Sequence, residues 1–285
     1  MSLIARMRPL RLVALGLAVL PLMGLANAAD AEPRDGWPSK VRAVYRVDFN
    51  GFDIGTFEFN ADISGRNFTL TGNAQLSALL GAFKWRGATR SSGLIAANAP
   101  RPGGYTFDFA GPGKSGAIKM AFTGDSVSSL THDPVAPPEA GTVPIKDHHL
   151  KQVLDPLSAI MALSRNTSDN PCDRRLAVFD GKQRFDLALS FSRQEPISET
   201  RPSGQPGVAF VCRVRYLPIA GHRMTDSTRN LSESNGIELS LRPVPSANLF
   251  IPHQITIPTG AGPATLTSLR VDIVTTRNEQ IALSH

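Results

Sequence analysis

Val41-Arg-Ala-Val-Tyr-Arg-Val-Asp-Phe49, followed by Asn50-Gly51 and then Thr56-Phe-Glu-Phe-Asn-Ala-Asp-Ile63, is the stretch that decides the fold. Val41, Ala43, Tyr45, Val47 and Phe49 occupy alternate positions, and so do Phe57, Phe59, Ala61 and Ile63. Period two places each set on one face of a strand. An Asn-Gly turn between two such runs predicts an antiparallel hairpin. Gly51 and Gly55 permit the turn and a close approach of the two backbones.

The same alternation recurs downstream at Phe68 to Leu70, Trp85 to Ile95, Tyr105 to Phe109 and Ile118 to Phe122. After a Pro-rich connection, Asp133 to Gly141, it returns at Leu176 to Phe179, Phe185 to Phe191, Val208 to Tyr216, Ile237 to Leu241, Phe250 to Ile257 and Leu266 to Val274. Strands at this spacing predict a mainly β fold: a large antiparallel curled sheet, an open barrel or a sandwich. Pro245, Pro252 and Pro258 suit strand ends, edges or bulges rather than a central ladder. Asp180-Gly181 is a second hairpin signal between alternating runs.

One short helical segment is expected near 147–165. Asp155-Pro156 supplies a capping carboxylate and a first-turn proline, and Leu157, Ile160 and Met161 form the apolar stripe of a helix beginning there. A shorter helical turn is expected around Leu150 to Leu154.

Composition agrees with one globular body. Of 285 residues, 41% are hydrophobic and 19% charged, which is too apolar for a disordered chain. The 22 prolines are about 8% of the chain against roughly 5% in average usage, which favours many short elements joined by turns. No fixed-period repeat is found.

The N-terminus reads as an export signal at residues 1–28. Arg6, Arg8 and Arg11 precede a 14-residue apolar run from Leu12 to Leu25, and Ala26-Asn27-Ala28 offers small residues for cleavage. That run is shorter than the roughly 20 residues of a membrane-spanning helix. A flexible leader is expected at 29–40 and a single β-rich domain at 41–285, in the periplasm and with no membrane span after cleavage. Without residues 1–28, 27 basic and 24 acidic side chains leave a net charge of +3, with no basic run to suggest nucleic acid.

Cys172 and Cys212 are the two cysteines, and an even count behind a secretory signal predicts a disulfide. Closing a loop of 39 intervening residues is worth roughly 4 kcal/mol in the chain-entropy model.

Several motifs fail on context. Gly111-Pro-Gly-Lys-Ser-Gly116 matches dinucleotide-loop spacing, but an alternating run follows it where a helix is required, so a hairpin turn is expected. His132, Asp133, His148 and His149 form a loose cluster, yet adjacent histidines do not face one ion. No Gly-x-Ser-x-Gly elbow occurs, and the acids Asp48, Asp53, Glu58 and Asp62 fit the wet face of alternating strands. No catalytic, cofactor-binding or metal-ligating residue is assigned.

Three segments resemble a known family. Tyr45-Arg-Val-Asp-Phe-Asn-Gly-Phe-Asp-Ile-Gly-Thr-Phe57, Leu154-Asp-Pro-Leu-Ser-Ala-Ile160 and Val178-Phe-Asp-Gly-Lys-Gln-Arg-Phe-Asp-Leu187 are similar, in that order, to exported bacterial proteins grouped as domain of unknown function 3108. The likeness spans roughly Val41 to Val274. It implies a β-rich envelope protein of a Gram-negative cell, usually periplasmic, and carries over no catalytic residue.

The leading functional expectation is a non-enzymatic binding or scaffold protein of the cell envelope, whose partner is a protein or glycan. The alternative is a carrier of a lipid or other amphiphile in a β cavity lined by Phe57, Phe59, Trp85, Phe107, Phe109, Leu157, Ile160 and Met161. A hydrolase of envelope polymers stands third.

Overall fold

The structure is a computed structural model that describes residues 36–78, 81–135, 139–165, 170–234 and 236–285. The export signal and the leader as far as residue 35 lie outside the described residues.

The first half of the chain forms seven strands: β1 (Lys40–Phe49), β2 (Phe52–Ser64), β3 (Asn67–Ala78), β4 (Phe83–Ala96), β5 (Ala99–Gly111), β6 (Lys114–Thr123) and β7 (Ser126–Asp133). A connection follows, holding a 3-10 turn at Asp147–Leu150 and the helix α1 (Pro156–Ser164). The second half comprises β8 (Arg174–Phe179), β9 (Arg184–Pro196), β10 (Val208–Ala220), the helix α2 (Asp226–Glu233), β11 (Glu238–Val244), β12 (Leu249–Thr259), β13 (Gly262–Val274) and β14 (Gln280–Ser284).

All these strands belong to one antiparallel sheet that does not close into a barrel. Its order is β7-β6-β5-β4-β3-β2-β1-β13-β12-β11-β10-β9-β8, with β14 added on β13. Nearly every neighbour along this path is also a neighbour in sequence, the hairpin logic of the opening stretch repeated. The exception is β1 with β13, where Lys40 pairs with Val274 and Phe49 with Ala264.

Local chemistry explains the turns. Asn50 and Gly51 both take positive φ, and a Cβ on Gly55 would stand 1.9 Å from the Gln75 carbonyl oxygen on β3. The Gly111–Gly116 loop is the β5–β6 hairpin, with Pro112-Gly113 between the strands. Asp180 Oδ1 accepts from the Lys182 and Gln183 N–H groups and holds the β8–β9 turn. Pro252 sits where the β11–β12 register shifts, and Pro245 opens a 3-10 turn, so neither removes a donor from a regular ladder.

Helix α1 begins at Pro156 because Asp155 Oδ1 accepts from the N–H groups of Leu157 and Ser158. The other carboxylate oxygen takes the Ser158 and Ser91 hydroxyls, at 2.6 and 2.8 Å. Burial pushes the Asp155 carboxyl up, and these hydrogen bonds pull it back. The Ser91 bond fastens the helix to β4. Inside the curl, α1 packs against β3, β4 and β5 and against β8 and β12. Leu157 and Met161 are buried in the larger core with Leu70, Phe179 and Val271.

The two edge strands, β7 and β8, are stitched by the connection between them. The expected helical turn at Leu150 to Leu154 falls instead at Asp147–Leu150, and the residues after it bond to both edges. Gln152 N–H donates to the Asp125 carbonyl beside β7, Leu154 N–H to Ala177 on β8, and Phe179 N–H to Leu154. Exposed edge groups are thereby satisfied.

Helix α2, and strands β7 and β14, had no counterpart in the sequence reading. Residues before Val41 also join the body: Trp37 is buried, and Ser39 Oγ donates to the Val274 carbonyl. Among the described residues no helix is long and apolar enough to cross a membrane.

Candidate functional site

Helix α1 divides the interior unequally. On its β3–β5 side it packs against core residues such as Leu70 and Tyr105. On the other side, between α1 and the wall made by β1, β2 and β8–β13, lies a cavity of about 430 Å³. Among the described residues its lining contains no charged side chain. Such a volume and such walls are typical of sites for small apolar or amphiphilic molecules.

The cavity is long. It runs beside β1 from Val41 to the level of Leu266, the partner of Val47, which is six residue steps or about 20 Å. One end is lined mostly by buried residues, Trp37, Pro38, Ala61, Leu163 and Leu249, with Ile63 half-buried beside them. At the other end the lining is partly exposed, at Phe185, Tyr216, Ile255, Ile257 and Leu266. Leu231, the single large apolar residue of α2, reaches into this exposed end from an otherwise polar helix. The mouth therefore lies beneath α2.

The few polar groups in the wall are nearly all spent on the protein. Tyr45 OH donates to the Pro252 carbonyl at 3.0 Å, Tyr216 OH to Gln183 Oε1 at 2.8 Å, and Ser164 Oγ to the Ile160 carbonyl at 3.0 Å. Burial pushes the Tyr45 hydroxyl up, so it stays neutral. What the wall presents is hydrocarbon and aromatic surface.

The sequence profile of the family described as "Protein of unknown function (DUF3108)" matches residues 44–267, which carry most of this wall. The chain belongs to that family. No curated protein and no solved structure matches it. The DUF3108 match thus spans the cavity strands β2 and β8–β12 and the helix α1 together.

Of the residues expected to line a cavity in this DUF3108 chain, Phe57, Phe59, Ile160 and Met161 do so. Leu157 lies beside them in the core. Trp85, Phe107 and Phe109 are elsewhere: their rings stack along β4 and β5, with centroids 6.4 Å apart for Trp85–Phe107 and 5.5 Å for Phe107–Phe109. Gly87 and Gly111 make room for that stack, since a Cβ on either would come within 2.6 Å of the Trp85 ring. Alternation identified these aromatics as inward candidates but carried no signal for which side of α1 they reach. Trp37 and Leu231 were missed, the first because it was read into the leader and the second because α2 lacks an apolar stripe.

Cys172 and Cys212 are both fully buried and joined, with Sγ atoms 2.01 Å apart. They fasten the start of the β8 region to β10, two rows along the cavity wall.

The acids noted in the sequence are in ion pairs or turns: Lys40 with Asp62, Arg42 with Glu58, Arg46 with Asp48, and Asp53 accepting from Gly55 N–H. His132 Nε2 is 2.8 Å from the Gly181 carbonyl, and His149 Nδ1 accepts from Lys146 N–H. The His132, Asp133, His148 and His149 set forms no metal-binding group, and none exists among the described residues.

One serine does contact histidine. Ser268 Oγ lies 3.1 Å from His253 Nδ1 and 3.0 Å from His285 Nδ1, while His285 Nε2 is 2.8 Å from the Arg242 guanidinium. Arg242 is fully buried and also donates to Glu199, Ser203 and the Pro206 carbonyl. Because Arg242 can only donate, His285 Nε2 must accept, which leaves its Nδ1–H to donate to Ser268 and the Ser268 hydroxyl to donate to His253. Ser268 has no exposed surface. A nucleophile needs access, and this hydroxyl is closed in by the rings it bonds.

Proposed function

We propose that this chain is a non-enzymatic binding protein of the bacterial envelope that holds a lipid or other amphiphile between α1 and the β wall. The observation that carries the reading is the 430 Å³ cavity, which has no charged residue in its lining among the described residues. A filled core would leave no such space beside close-packed side chains. The disulfide supports an oxidising compartment, and the basic, apolar and small-residue sequence of residues 1–28 supports export to the periplasm. The cavity also moves the reading from a scaffold for protein or glycan to a carrier, since neither partner needs an enclosed apolar space.

Native mass spectrometry of protein purified gently from the periplasm, followed by solvent extraction, tests the proposal. The expected result is a stoichiometric amphiphile that leaves on denaturation. Ala43→Phe places a ring where a small buried residue lines the cavity. It should keep the melting transition and abolish binding. An apo mass, together with no binding of added fatty acids of any chain length, would overturn the carrier reading.

A further inference from the structure

Four lining side chains of the cavity carry a hydrogen-bond donor: Trp37, Tyr45, Ser164 and Tyr216. Three of them donate to protein acceptors, as described above. The fourth does not. Trp37 is 7% exposed, and its Nε1 is buried with no hydrogen-bond partner among the described residues. An indole nitrogen can only donate, so nothing but an acceptor can satisfy it. Buried donors are almost always paired, and one that is not asks for an explanation.

Its surroundings narrow that explanation. Trp37 stands at the closed end of the cavity, opposite the mouth beneath α2. The Arg165 guanidinium carbon lies 5.3 Å from the centroid of its ring, so one face of the indole is already covered by protein. Along the remaining 20 Å or so of wall, measured in strand steps, the other polar groups are occupied.

Resting on the carrier reading, we propose that the occupant is a linear amphiphile bound head-inward, with a carboxyl or ester carbonyl oxygen accepting the Trp37 Nε1–H at the closed end and its apolar chain directed to the mouth. This orientation gives the buried donor its acceptor and leaves hydrocarbon against hydrocarbon elsewhere. Tail-inward binding would bury the donor against methylene groups.

Laurate, methyl laurate and dodecane are suitable probes, because they share a chain and differ in the acceptor. The full disulfide-bonded chain is labelled with ¹⁵N at its two tryptophans, and Trp37→Phe assigns the two indole signals. Laurate and methyl laurate are expected to move the Trp37 indole proton downfield, and dodecane is not. Trp37→Phe should weaken the two oxygen-bearing probes about tenfold more than it weakens dodecane, the worth of a good hydrogen bond. A shift with laurate alone would assign the head to a free carboxylate, and a shift with both to any carbonyl oxygen. If all three bind and the Trp37 signal stays put, the head-inward assignment is overturned while the carrier reading stands. Should none bind, both fall. The wild-type spectrum decides even if Trp37→Phe fails to fold.

Discussion

Acidification should destabilise this protein in large part through the His285 imidazole. His285 is faced by His253, with ring centroids 4.4 Å apart, by the buried Arg242 guanidinium and, beyond it, by Glu199. Burial first, then the charges of His253 and Arg242, push its pKa from the ordinary 6.5 down to about 4. The unfolded chain therefore takes up the proton first as the pH falls. Stability from this group is complete above about 6.5 and is lost progressively as the pH drops towards 4. The full shift corresponds to roughly 3.4 kcal/mol, and solvent screening of a half-buried ring reduces this to about 1–2 kcal/mol. His285→Asn keeps an acceptor for Arg242 and removes the titration. Urea unfolding at pH 7.5 and pH 4.5 should show wild type losing about 1–2 kcal/mol more than His285→Asn between the two conditions. Equal losses in the two proteins would refute the hydrogen-bond assignment, because a neutral His285 accepting from Arg242 cannot be indifferent to its own protonation.

Two further outcomes follow from buried contacts. Asp155→Ala removes the cap of α1 and strips the Ser91 and Ser158 hydroxyls of their shared acceptor, so a loss of about 2–4 kcal/mol is expected in urea unfolding; a loss under about 1 kcal/mol would show that the carboxylate is not what seats the helix. Replacing both Cys172 and Cys212 by Ser should cost about 2–4 kcal/mol and lower the unfolding midpoint as much as a thiol reductant lowers that of the wild type. A midpoint insensitive to both changes would mean that the bridge closes no loop that matters to stability.

The strands were legible because their alternation is strong where one face is buried: Val41 to Phe49 shows it without a gap, and Val208 to Tyr216 shows it on either side of the bulge between Val211 and Cys212. Strand β7 was missed because it is an edge strand, mostly solvent-facing, and its Ser-Val-Ser-Ser-Leu-Thr-His-Asp carries little apolar contrast. Strand β14 has five residues and gains its place from β13 rather than from its own pattern. Helix α2 announces itself only by the Thr225 cap, since Leu231 is its one large apolar residue. The cavity was half legible. A period of two tells which side chains point inward, and four of the aromatic and helix-borne residues so identified do reach it. It does not tell that α1 runs through the interior and splits it, which is why the Trp85, Phe107 and Phe109 stack was grouped with Phe57 and Phe59. Pairing of Ser268 with His253 and His285 depends on the register of the consecutive strands β12, β13 and β14, and no short-range spacing signals it.

The pairing of β1 with β13 also governs when the molecule can become whole. Hairpins such as β2–β3 or β9–β10 need only neighbouring chain and can close early, whereas Lys40 waits for Val274. Contacts across such separations are slow to form because a long loop must be closed first. The two halves of the sheet thus join last, at its middle, and the cavity wall, which draws on both, acquires its shape only at that late step. Until then the apolar faces of β1 and β12 stand uncovered, so the interval before the joint closes is when the chain is most open to aggregation or to the help of a chaperone.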